Sequence, residues 1–255
     1  MCLKQSVKDH LSYFVFQTRE EMGKKAAYDI SAKMLDLLKE KKEINMIFAA
    51  APSQDEMLAC LAANKEIPWE RVNAFHMDEY IGLSQTHPQS FCAYLKRAIF
   101  DQVPFRSVHF IRGDAKDPNA ECARYAALLK SHPADIVCLG IGENGHIAFN
   151  DPWVADFCDR AYVKIVPLDE VCRKQQVNDG CFASLDDVPK TAITLTIPAL
   201  TTASFLFCTV PSQTKRQAVN NAVNGSISPA CPASVLRRHP HAVLYCDAQS
   251  GQDLL

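Results

Sequence analysis

Apolar residues follow two different spacings along the chain, and each spacing predicts a different kind of element. From about Arg19 to Glu40 they recur every three or four residues between charged groups, which predicts an amphipathic helix. The short run "NMIFAAA" then predicts a buried strand, and "SQDEMLACLAA" predicts a second helix. Ser53 with Glu56 three residues later fits a capping box, so we expect that helix to begin at Ser53.

The alternation of strand and helix continues to the end of the chain. "RVNAFHMDEY" predicts the next strand, and "SVHFI" predicts another between helices near residues 90–100 and 119–131. "ADIVCLGIG" predicts a strand that ends in a glycine-rich loop. Further strands are predicted near residues 162–166, in "AITLTI", in "SFLFCTV" and in "AVLYC", with a helix from about Ser212. This order predicts an α/β fold: a single doubly wound domain over residues 1–255, with a mostly parallel sheet and helices on both faces.

Composition and charge narrow the class of protein. The 27 basic and 29 acidic side chains nearly balance and no long basic run appears, so we expect no nucleic-acid partner. The eleven cysteines are odd in number, and several lie inside apolar runs, which favours reduced, buried thiols over disulfides. The N-terminal "YFVF" is too short for a signal peptide, and no segment reaches the length of a membrane span. We therefore expect a cytoplasmic protein that does not bind a membrane.

Polar residues gather in three stretches that directly follow predicted strands. They are "AAAPSQ", "HMDEY" and "GIGENGHIAFND". Open α/β sheets bind ligands beyond the carboxyl ends of their strands, so we expect these stretches to meet in one site. A helix N-terminus suits a phosphate, and a carboxylate with a histidine suits proton transfer on a sugar. The sequence thus indicates a sugar-phosphate pocket.

A metal site is not expected in that pocket. His76, Asp78, Glu79 and His146 could gather there, but adjacent strand residues point to opposite faces of a sheet. Only His76 and Asp78 would then share a side, which gives too few ligands for a closed metal site.

Five segments of the chain carry a family resemblance. They are "FHMDEYIGLSQTHPQSF", "LGIGENGHIAFNDP", "VPK", "ALT" and "RRHPHAVLYCD". Together they resemble the glucosamine-6-phosphate deaminase/isomerase family, which is related to the 6-phosphogluconolactonases, and the match is collinear from roughly Arg19 to Asp247. The resemblance implies a modified Rossmann-like fold. It also implies that an amino-sugar 6-phosphate and water are converted into fructose 6-phosphate and ammonia, with no cofactor.

The resemblance implies roles for individual residues. Asp78 matches the base that moves a proton between C2 and C1 of the opened sugar, and His146 matches the histidine that opens the ring. Asn144 and Asp151 complete the catalytic group, at positions where the deaminases normally carry an aspartate and a glutamate. Asp151 or Glu143 is expected to supply the negative charge that Asn144 lacks. The resemblance assigns substrate contacts to Ala51, Ser53, Gln54, Glu79, Gly142, Gly145, Arg173 and Lys215.

Three departures from the family pattern concern substrate binding and regulation. The glycine-rich phosphate turn of the deaminases becomes "AAAPSQ", where Pro52 has no N–H to donate. Arg173 is the only arginine in "VCRKQQVNDGCF", the segment where the family places a phosphate-binding arginine. The serines that help to bind an allosteric activator in some relatives fall near Val154 and Ala155, so we do not expect that regulation.

The sequence leaves three functions open. The first is a deaminase/isomerase of amino-sugar phosphates, and the second is a related phosphosugar isomerase or a 6-phosphogluconolactonase-like hydrolase. The third is a sugar-phosphate-binding protein with little turnover, which the neutral amide of Asn144 would favour. The presence of both Asp78 and His146 argues against this third function, because a binding protein needs no base. A homo-oligomer is compatible with each of the three.

Overall fold

The computed structural model of the protein describes residues 1–178 and 180–255. Strands and helices alternate along most of this length. The strands are β1 Cys2–Lys8, β2 Leu11–Phe16, β3 Ile44–Phe48, β4 Val72–His76, β5 Asp78–Tyr80, β6 Ser107–His109, β7 Ile136–Leu139, β8 Val163–Pro167, β9 Thr191–Leu195, β10 Phe205–Val210 and β11 Ala242–Asp247. The helices are α1 Arg19–Glu40, α2 Asp55–Ala63, α3 Phe91–Leu95, α4 Pro118–Ser131, α5 Glu170–Asn178, α6 Ile197–Thr201 and α7 Arg216–Asn224.

The larger of two sheets has the strand order β1-β2-β11-β10-β7-β3-β4-β6. Its neighbouring strands run parallel except for the hairpin of β1 and β2. Apolar residues of α1, α2 and α3 pack with one face of this sheet, and those of α4, α6 and α7 pack with the other. The predicted α/β fold, with a mostly parallel sheet between two layers of helices, is confirmed.

The order of strands reverses next to β3. Along the chain, β4 and β6 extend the sheet on one side of β3, whereas β7, β10 and β11 extend it on the other side. In an open α/β sheet such a reversal leaves a crevice beyond the carboxyl ends of the strands. The loops that follow β3 and β7, residues 49–54 and 140–151, border this crevice. The topology therefore brings two of the three predicted polar stretches together.

The strand predicted over "RVNAFHMDEY" is divided between two sheets. β4 ends at His76 in the large sheet, while β5 begins at Asp78 in a second, antiparallel sheet with the order β5-β9-β8. The break lies at Met77, whose carbonyl accepts a hydrogen bond of 2.8 Å from the N–H of Leu195. The prediction of one continuous strand was wrong, because a three-residue strand has too little pattern to be separated from its predecessor.

The capping box predicted at Ser53 is also wrong. Ser53 lies inside a 3₁₀ turn, Pro52–Gln54, and α2 begins after it at Asp55. Glu56 turns away from the helix N-terminus and accepts two hydrogen bonds, of 2.6 and 2.9 Å, from the guanidinium of Arg19. The carboxylate thus joins α2 to the start of α1 instead of capping its own helix.

The N-terminal hairpin of β1 and β2 was not among the predicted elements. Leu11 and Val15 of β2 are fully buried, and β2 pairs in parallel with β11, with Tyr13 opposite Leu244. The hairpin therefore extends the large sheet at one edge. Its alternating pattern is short and carries no turn signal that would have separated it from a loop.

Two expectations concerned membranes and cysteines. Within residues 1–178 and 180–255, the structure contains no helix with both the length and the apolar character that crossing a membrane requires. Seven of the eleven cysteines are buried, and none of these seven forms a disulfide. The thiols in the strands, such as Cys138 and Cys208, pack as small apolar side chains.

Candidate active site

A cavity opens beyond the carboxyl ends of β3, β7 and β10. The loops after these strands form much of its wall, and β5, the first residue of α1 and the helix α5 complete it. The lining includes six of the twelve side chains or glycines that the sequence assigned to the site: Ala51, Ser53, Asp78, Gly142, His146 and Lys215. The other six lie behind the wall: Gln54, Glu79, Asn144, Gly145, Asp151 and Arg173.

Glycines shape the loop that carries His146. The N–H of Gly142 donates to the carbonyl of His146 at 2.9 Å, and the N–H of Gly145 donates to the carbonyl of Gly142 at 3.0 Å. A Cβ atom on Gly142 would lie 2.1–2.4 Å from three atoms of the imidazole, so only glycine fits beneath the ring. Gly145 has a φ of +87°, which favours glycine, and it faces Cys231 instead of the cavity. Its predicted substrate contact is therefore replaced by a role in the backbone turn.

The imidazole of His146 is held by two oxygen atoms at one of its nitrogens. Nδ1 lies 2.8 Å from Oδ1 of Asn144 and 3.0 Å from Oδ1 of Asp151. The amide nitrogen of Asn144 donates to that same Asp151 oxygen at 2.9 Å, which fixes the side chain so that its oxygen faces the ring. Because both neighbours of Nδ1 are hydrogen-bond acceptors, Nδ1 is the ring nitrogen that donates to them, and neither of these contacts uses Nε2.

Asp151 supplies the charge that Asn144 lacks. Its side chain is fully buried. Burial alone would raise the pKa of this carboxyl, but hydrogen bonding and charge from His146, with further hydrogen bonds from Asn144 and the N–H of Asp169, hold the pKa below its usual value. The carboxylate is therefore ionised beside the ring and can stabilise an imidazolium. Glu143 has no such contact, and its N–H instead donates to Gln175 at 3.0 Å.

Asp78 occupies a different kind of environment. It lines the cavity, but no hydrogen bond from residues 1–178 or 180–255 reaches its carboxylate. Burial, and secondarily the charge of Glu79, raise the pKa of Asp78 well above the usual carboxyl range. A carboxylate with a raised pKa and no hydrogen-bond donor is a stronger base than an exposed one.

His76 positions the backbone of Asp78 from the core. Nδ1 of His76 lies 2.9 Å from the carbonyl of Asp78, and its Nε2 accepts the N–H of Ile111 at 2.9 Å. Burial lowers the pKa of His76 to about 4, so the ring is neutral. Both ring nitrogens are used within the core, and the metal set considered from the sequence, which included His76, does not assemble.

Glu79 lies outside the cavity lining and binds backbone N–H groups, so its assignment as a substrate contact stays a prediction. Its carboxylate accepts the N–H groups of Tyr80, Phe91 and Cys92 at 2.9–3.0 Å, and two of these belong to the start of α3. Burial raises the pKa of Glu79, although these N–H groups lower it in part. The side chain therefore ties α3 to β5 and holds a second negative charge behind Asp78.

The two sheets are joined next to the histidine loop. Thr194 of β9 lies directly opposite Asp78 in the small sheet, and its Oγ1 accepts the N–H of Phe149 at 3.1 Å. The amide of Asn150 donates to the carbonyl of Leu195 at 2.8 Å. These bonds fix the strand that carries Asp78 relative to the loop that carries His146.

The turn after β3 forms the opposite end of the cavity. Gln54 is fully buried, and its amide nitrogen donates to Oγ of Ser53 at 3.0 Å and contacts the carbonyls of Leu139 and Thr209 at 3.3 and 3.4 Å. Gln54 thus fastens the ends of β7 and β10 to the turn and lies outside the cavity lining, so its predicted contact with substrate stays a prediction. Ser53 remains at the surface of the cavity.

Two cations face the cavity near this turn. Lys215 is buried in the segment that follows β10, as the sequence analysis placed it. Arg19 also lines the cavity, although the sequence gave no reason to include it, since it appears there only as the first charged residue of a helix. Its guanidinium is oriented by Glu56 and by the carbonyl of Pro52 at 2.7 Å.

Comparison with known proteins bears directly on this arrangement. The family model for glucosamine-6-phosphate isomerases/6-phosphogluconolactonase matches residues 17–150, a range that contains the turn after β3, Asp78 and most of the histidine loop. The chain belongs to this family. A glucosamine-6-phosphate deaminase of Lactobacillus delbrueckii subsp. bulgaricus is 30% identical over 254 residues, which cover 96% of this chain and 100% of that protein.

Solved structures show the same fold over nearly the whole chain. A monomeric glucosamine-6-phosphate deaminase superposes with a TM-score of 0.85 at 30% identity, covering 94% of this chain and 98% of that one. A 6-phosphogluconolactonase from Thermotoga maritima superposes with a TM-score of 0.76 at 20% identity, covering 93% and 99%. The first likeness extends to sequence, whereas the second shows the fold alone.

In this member of the family, the residues of α5 that line the cavity are not the ones that the sequence analysis expected. The guanidinium of Arg173 donates to the carbonyls of Leu185 and Val188 and lies outside the cavity lining, so its role as a phosphate ligand stays a prediction. Gln175 and Gln176, one turn further along α5, line the cavity instead. Sequence reasoning missed both, because glutamines on a polar helix carry no signal of ligand binding.

Proposed function

We propose that the protein is an amino-sugar-phosphate deaminase/isomerase, which converts glucosamine 6-phosphate or a close hexosamine phosphate and water into fructose 6-phosphate and ammonia. One observation carries the proposal. Asp78 and His146 line the same cavity, the first as a carboxylate with a raised pKa and the second as an imidazole anchored by an ionised carboxylate. The named deaminase that is 30% identical over 96% of this chain supports the same reaction.

His146 opens the sugar ring in this proposal. Nε2, with its lone pair, takes the proton of the C1 hydroxyl and returns it to the ring oxygen as the C1–O bond to that oxygen breaks. While the ring holds the extra proton, Asp151 stabilises the imidazolium through Nδ1, 3.0 Å away. The products of this step are the open-chain aldehyde and the unchanged histidine, so the group is ready for the next cycle.

Asp78 moves the proton that turns the aldose into a ketose derivative. Its carboxylate removes the hydrogen from C2, the electron pair forms a C1–C2 double bond, and the aldehyde oxygen takes up a proton from water to give an enol. Asp78 then returns its proton to C1 while the amino group gives up one proton to water, which leaves a hydroxyl at C1 and an imine at C2. Water adds to that imine and ammonia departs, giving fructose 6-phosphate. Every step is a proton transfer or an addition of water, so the scheme requires no cofactor.

The phosphate of the substrate is assigned to the end of the cavity next to the turn after β3. Lys215 and Arg19 bring positive charge there, and Ser53 offers a hydroxyl. In this scheme Arg19 takes the place of the phosphate-binding arginine that the family pattern puts in the segment around Arg173. Arg173 itself is engaged with backbone carbonyls. An arginine held by a carboxylate is well oriented for a phosphate oxygen, because its planar donors are fixed in space.

The direct test is a reaction with the purified protein. Glucosamine 6-phosphate and its epimers are incubated without added cofactor or metal, and ammonia and ketose phosphate are both measured. Equal amounts of the two products support the deaminase/isomerase. Ketose phosphate without ammonia from a neutral sugar phosphate indicates an isomerase, hydrolysis of 6-phosphogluconolactone indicates a lactonase, and thermal stabilisation without product indicates a binding protein.

The phosphate assignment has its own test. Arg19→Ala is expected to raise KM for the phosphorylated sugar by about tenfold or more, because a charge-assisted contact is worth about 1.5–3 kcal/mol. Arg216→Ala is the matched control, since Arg216 follows Lys215 directly but forms its ion pair with Asp253 on the surface. Equal KM values for the two variants would remove Arg19 from the phosphate site without affecting the assignment of the reaction.

A further inference from the structure

Three buried side chains with different donor atoms lie close together at Nδ1 of His146, the ring nitrogen that contacts Asn144 and Asp151. His146, Asp151 and Cys172 each present one ligand atom, and these atoms lie within 4.8 Å of one another. All three side chains are buried, with exposed fractions of 8%, 0% and 1%. The proposed reaction uses the histidine and the aspartate but has no role for the thiol.

The thiol reaches this position because α5 begins against Asp151. The N–H of Asp169 contacts the second carboxylate oxygen of Asp151 at 3.5 Å. The carboxylate of Asp169 in turn accepts the N–H of Cys172 at 3.1 Å, in the first turn of α5. The three donors therefore come from two separate segments that are fastened to each other through Asp151.

An imidazole nitrogen, a carboxylate oxygen and a thiolate sulfur form a donor set that suits Zn²⁺. Zinc binds such ligands at about 2.0–2.3 Å in tetrahedral geometry, so the donors of one site lie roughly 3–4 Å apart. The Nδ1 atom of His146 and Oδ1 of Asp151 are already 3.0 Å apart. Three protein ligands leave the fourth position for water. A side-chain adjustment of about an ångström at Cys172 would complete the geometry.

We propose that His146, Asp151 and Cys172 form a binding site for a thiophilic divalent cation, with Zn²⁺ as the best fit, and that the bound ion inhibits the enzyme. The Cys172 thiol loses its proton to solvent as the sulfur–metal bond forms. The metal replaces the proton on Nδ1 of His146, and that proton moves to Nε2. The ring then has no lone pair towards the cavity and cannot accept the proton of a substrate hydroxyl.

This mode of inhibition makes a specific kinetic prediction. Asp151 and Cys172 are not part of the cavity lining, so we expect substrate binding to be retained when the ion is bound. Zn²⁺ is therefore expected to lower kcat with little change in KM, and a chelator is expected to restore activity. Competition with substrate would instead indicate that the metal enters the cavity itself.

The test uses the full chain and two cysteine variants. Cd²⁺ serves as a spectroscopic probe, because its bond to a thiolate absorbs in the ultraviolet whether or not the protein turns over. Cys172→Ser is expected to lose one such band and to reduce sensitivity to Zn²⁺ by at least about tenfold, with basal activity retained. Cys158→Ser is the matched control, since this exposed thiol is outside the group, and it is expected to behave like wild type.

Several outcomes decide the proposal. Cys172→Ala is measured beside Cys172→Ser, so that a folding defect of one variant does not leave the question unanswered. Equal cadmium spectra and equal zinc inhibition for wild type and both Cys172 variants would overturn the proposal. If the wild type lacks deaminase activity, the cadmium spectra and the thermal stabilisation by Zn²⁺ still test the site on their own.

Discussion

Asp78 and Asp151 are two buried carboxylates that serve the same cavity in opposite surroundings. Asp151 receives hydrogen bonds from His146, Asn144 and the N–H of Asp169, and its pKa lies below the usual value despite full burial. Asp78 receives no hydrogen bond from the described part of the chain and lies beside Glu79, so burial raises its pKa. The two carboxyls are buried to a similar degree, yet their pKa values shift in opposite directions. The hydrogen-bond donors around each carboxyl decide the direction of its shift.

Within the proposed reaction, this comparison favours Asp78 over Asp151 as the base. A carboxylate that already accepts three hydrogen bonds has little affinity left for another proton, and it stabilises a neighbouring cation instead. A carboxylate without donors takes up a proton readily. Pairs of acidic groups whose environments push their pKa values apart commonly divide the work of a site in this way. The predictions that follow test this division, from the largest expected effect to the smallest.

Replacing the base should have the largest effect. Asp78→Asn keeps the shape of the side chain but removes its basicity, so kcat should fall by about 10³-fold or more while KM changes little. The measurement is turnover together with exchange of the C2 proton in deuterated water, followed by NMR. Exchange at the wild-type rate in the variant would show that another group is the base.

Replacing the anchor should have a smaller effect, confined to ring opening. Asp151→Asn removes the charge that stabilises the imidazolium of His146, and kcat on the cyclic sugar should fall by about 10²-fold. Substrate supplied in its open-chain form should be partly spared, because that step no longer depends on the histidine. Equal losses on both forms of the substrate would contradict the proposed division of roles.

Exchanging amide and carboxylate beside His146 tests the arrangement more finely. Asn144→Asp removes the donor to Asp151 and places two carboxylates in contact, so activity at neutral pH should fall by roughly tenfold, about 1.4 kcal/mol. The double variant Asn144→Asp/Asp151→Asn restores one charge and one amide at Nδ1 of His146. Its kcat should exceed that of either single variant. Strict additivity of the two losses would show that Asn144 and Asp151 act independently.

The pH dependence of the reaction should report the raised pKa of Asp78. Because the base must be ionised, kcat/KM should fall as the pH is lowered through that raised pKa, above the range of an ordinary carboxyl. Glu79→Gln removes the neighbouring charge, the second cause of the shift, and should move this acid limb to lower pH. The same variant should lose about 1–3 kcal/mol of stability, because Gln keeps only one acceptor oxygen and one of the two α3 N–H groups then meets an NH2 group.

The smallest expected effect is on the free energy of unfolding. Asp78→Asn should raise it, although the same substitution should lower activity. A carboxyl whose pKa is raised by folding stabilises the native state at low pH and loses that contribution as the pH rises through the folded-state pKa. Asp78→Asn should therefore be more stable than wild type at neutral pH, by about 1 kcal/mol, and the gain should vanish in acid. Denaturant titrations of both proteins at the two pH values measure it.

The sequence identified the loop that carries His146 more readily than the other residues around the cavity. The spacing of glycines and polar residues around His146 was sufficient to identify the loop, because a glycine-bracketed turn is a local feature of the chain. The separation of Asp78 from β4 depends on pairing with β9, and a window of neighbouring residues cannot contain that information. The hydrogen bonds of Glu79 were not predicted for the same reason, since its partners on α3 are fixed only by the tertiary fold.

The phosphate end was the hardest part to predict. Arg19 reaches the cavity because α1 packs against α2 and Glu56 orients its guanidinium, which no local pattern announces. Arg173 shows the converse, since a positive charge in the expected segment is used by the carbonyls of Leu185 and Val188. Where several cationic side chains lie near a proposed phosphate site, residue type and approximate position do not show which of them would bind the phosphate.

The small antiparallel sheet has a consequence for how the protein reaches its active state. β5 carries Asp78, the proposed base, yet its partner is β9, and Asp78 and Thr194 are more than one hundred positions apart in the chain. Such a pairing closes a long loop, so its entropic cost is met only after much of the remaining structure has formed, and distant strand pairings of this kind form slowly. During synthesis β5 leaves the ribosome long before β9 exists. Turnover is therefore a reporter of the completed fold, and a refolding chain should regain its secondary structure before it regains its chemistry.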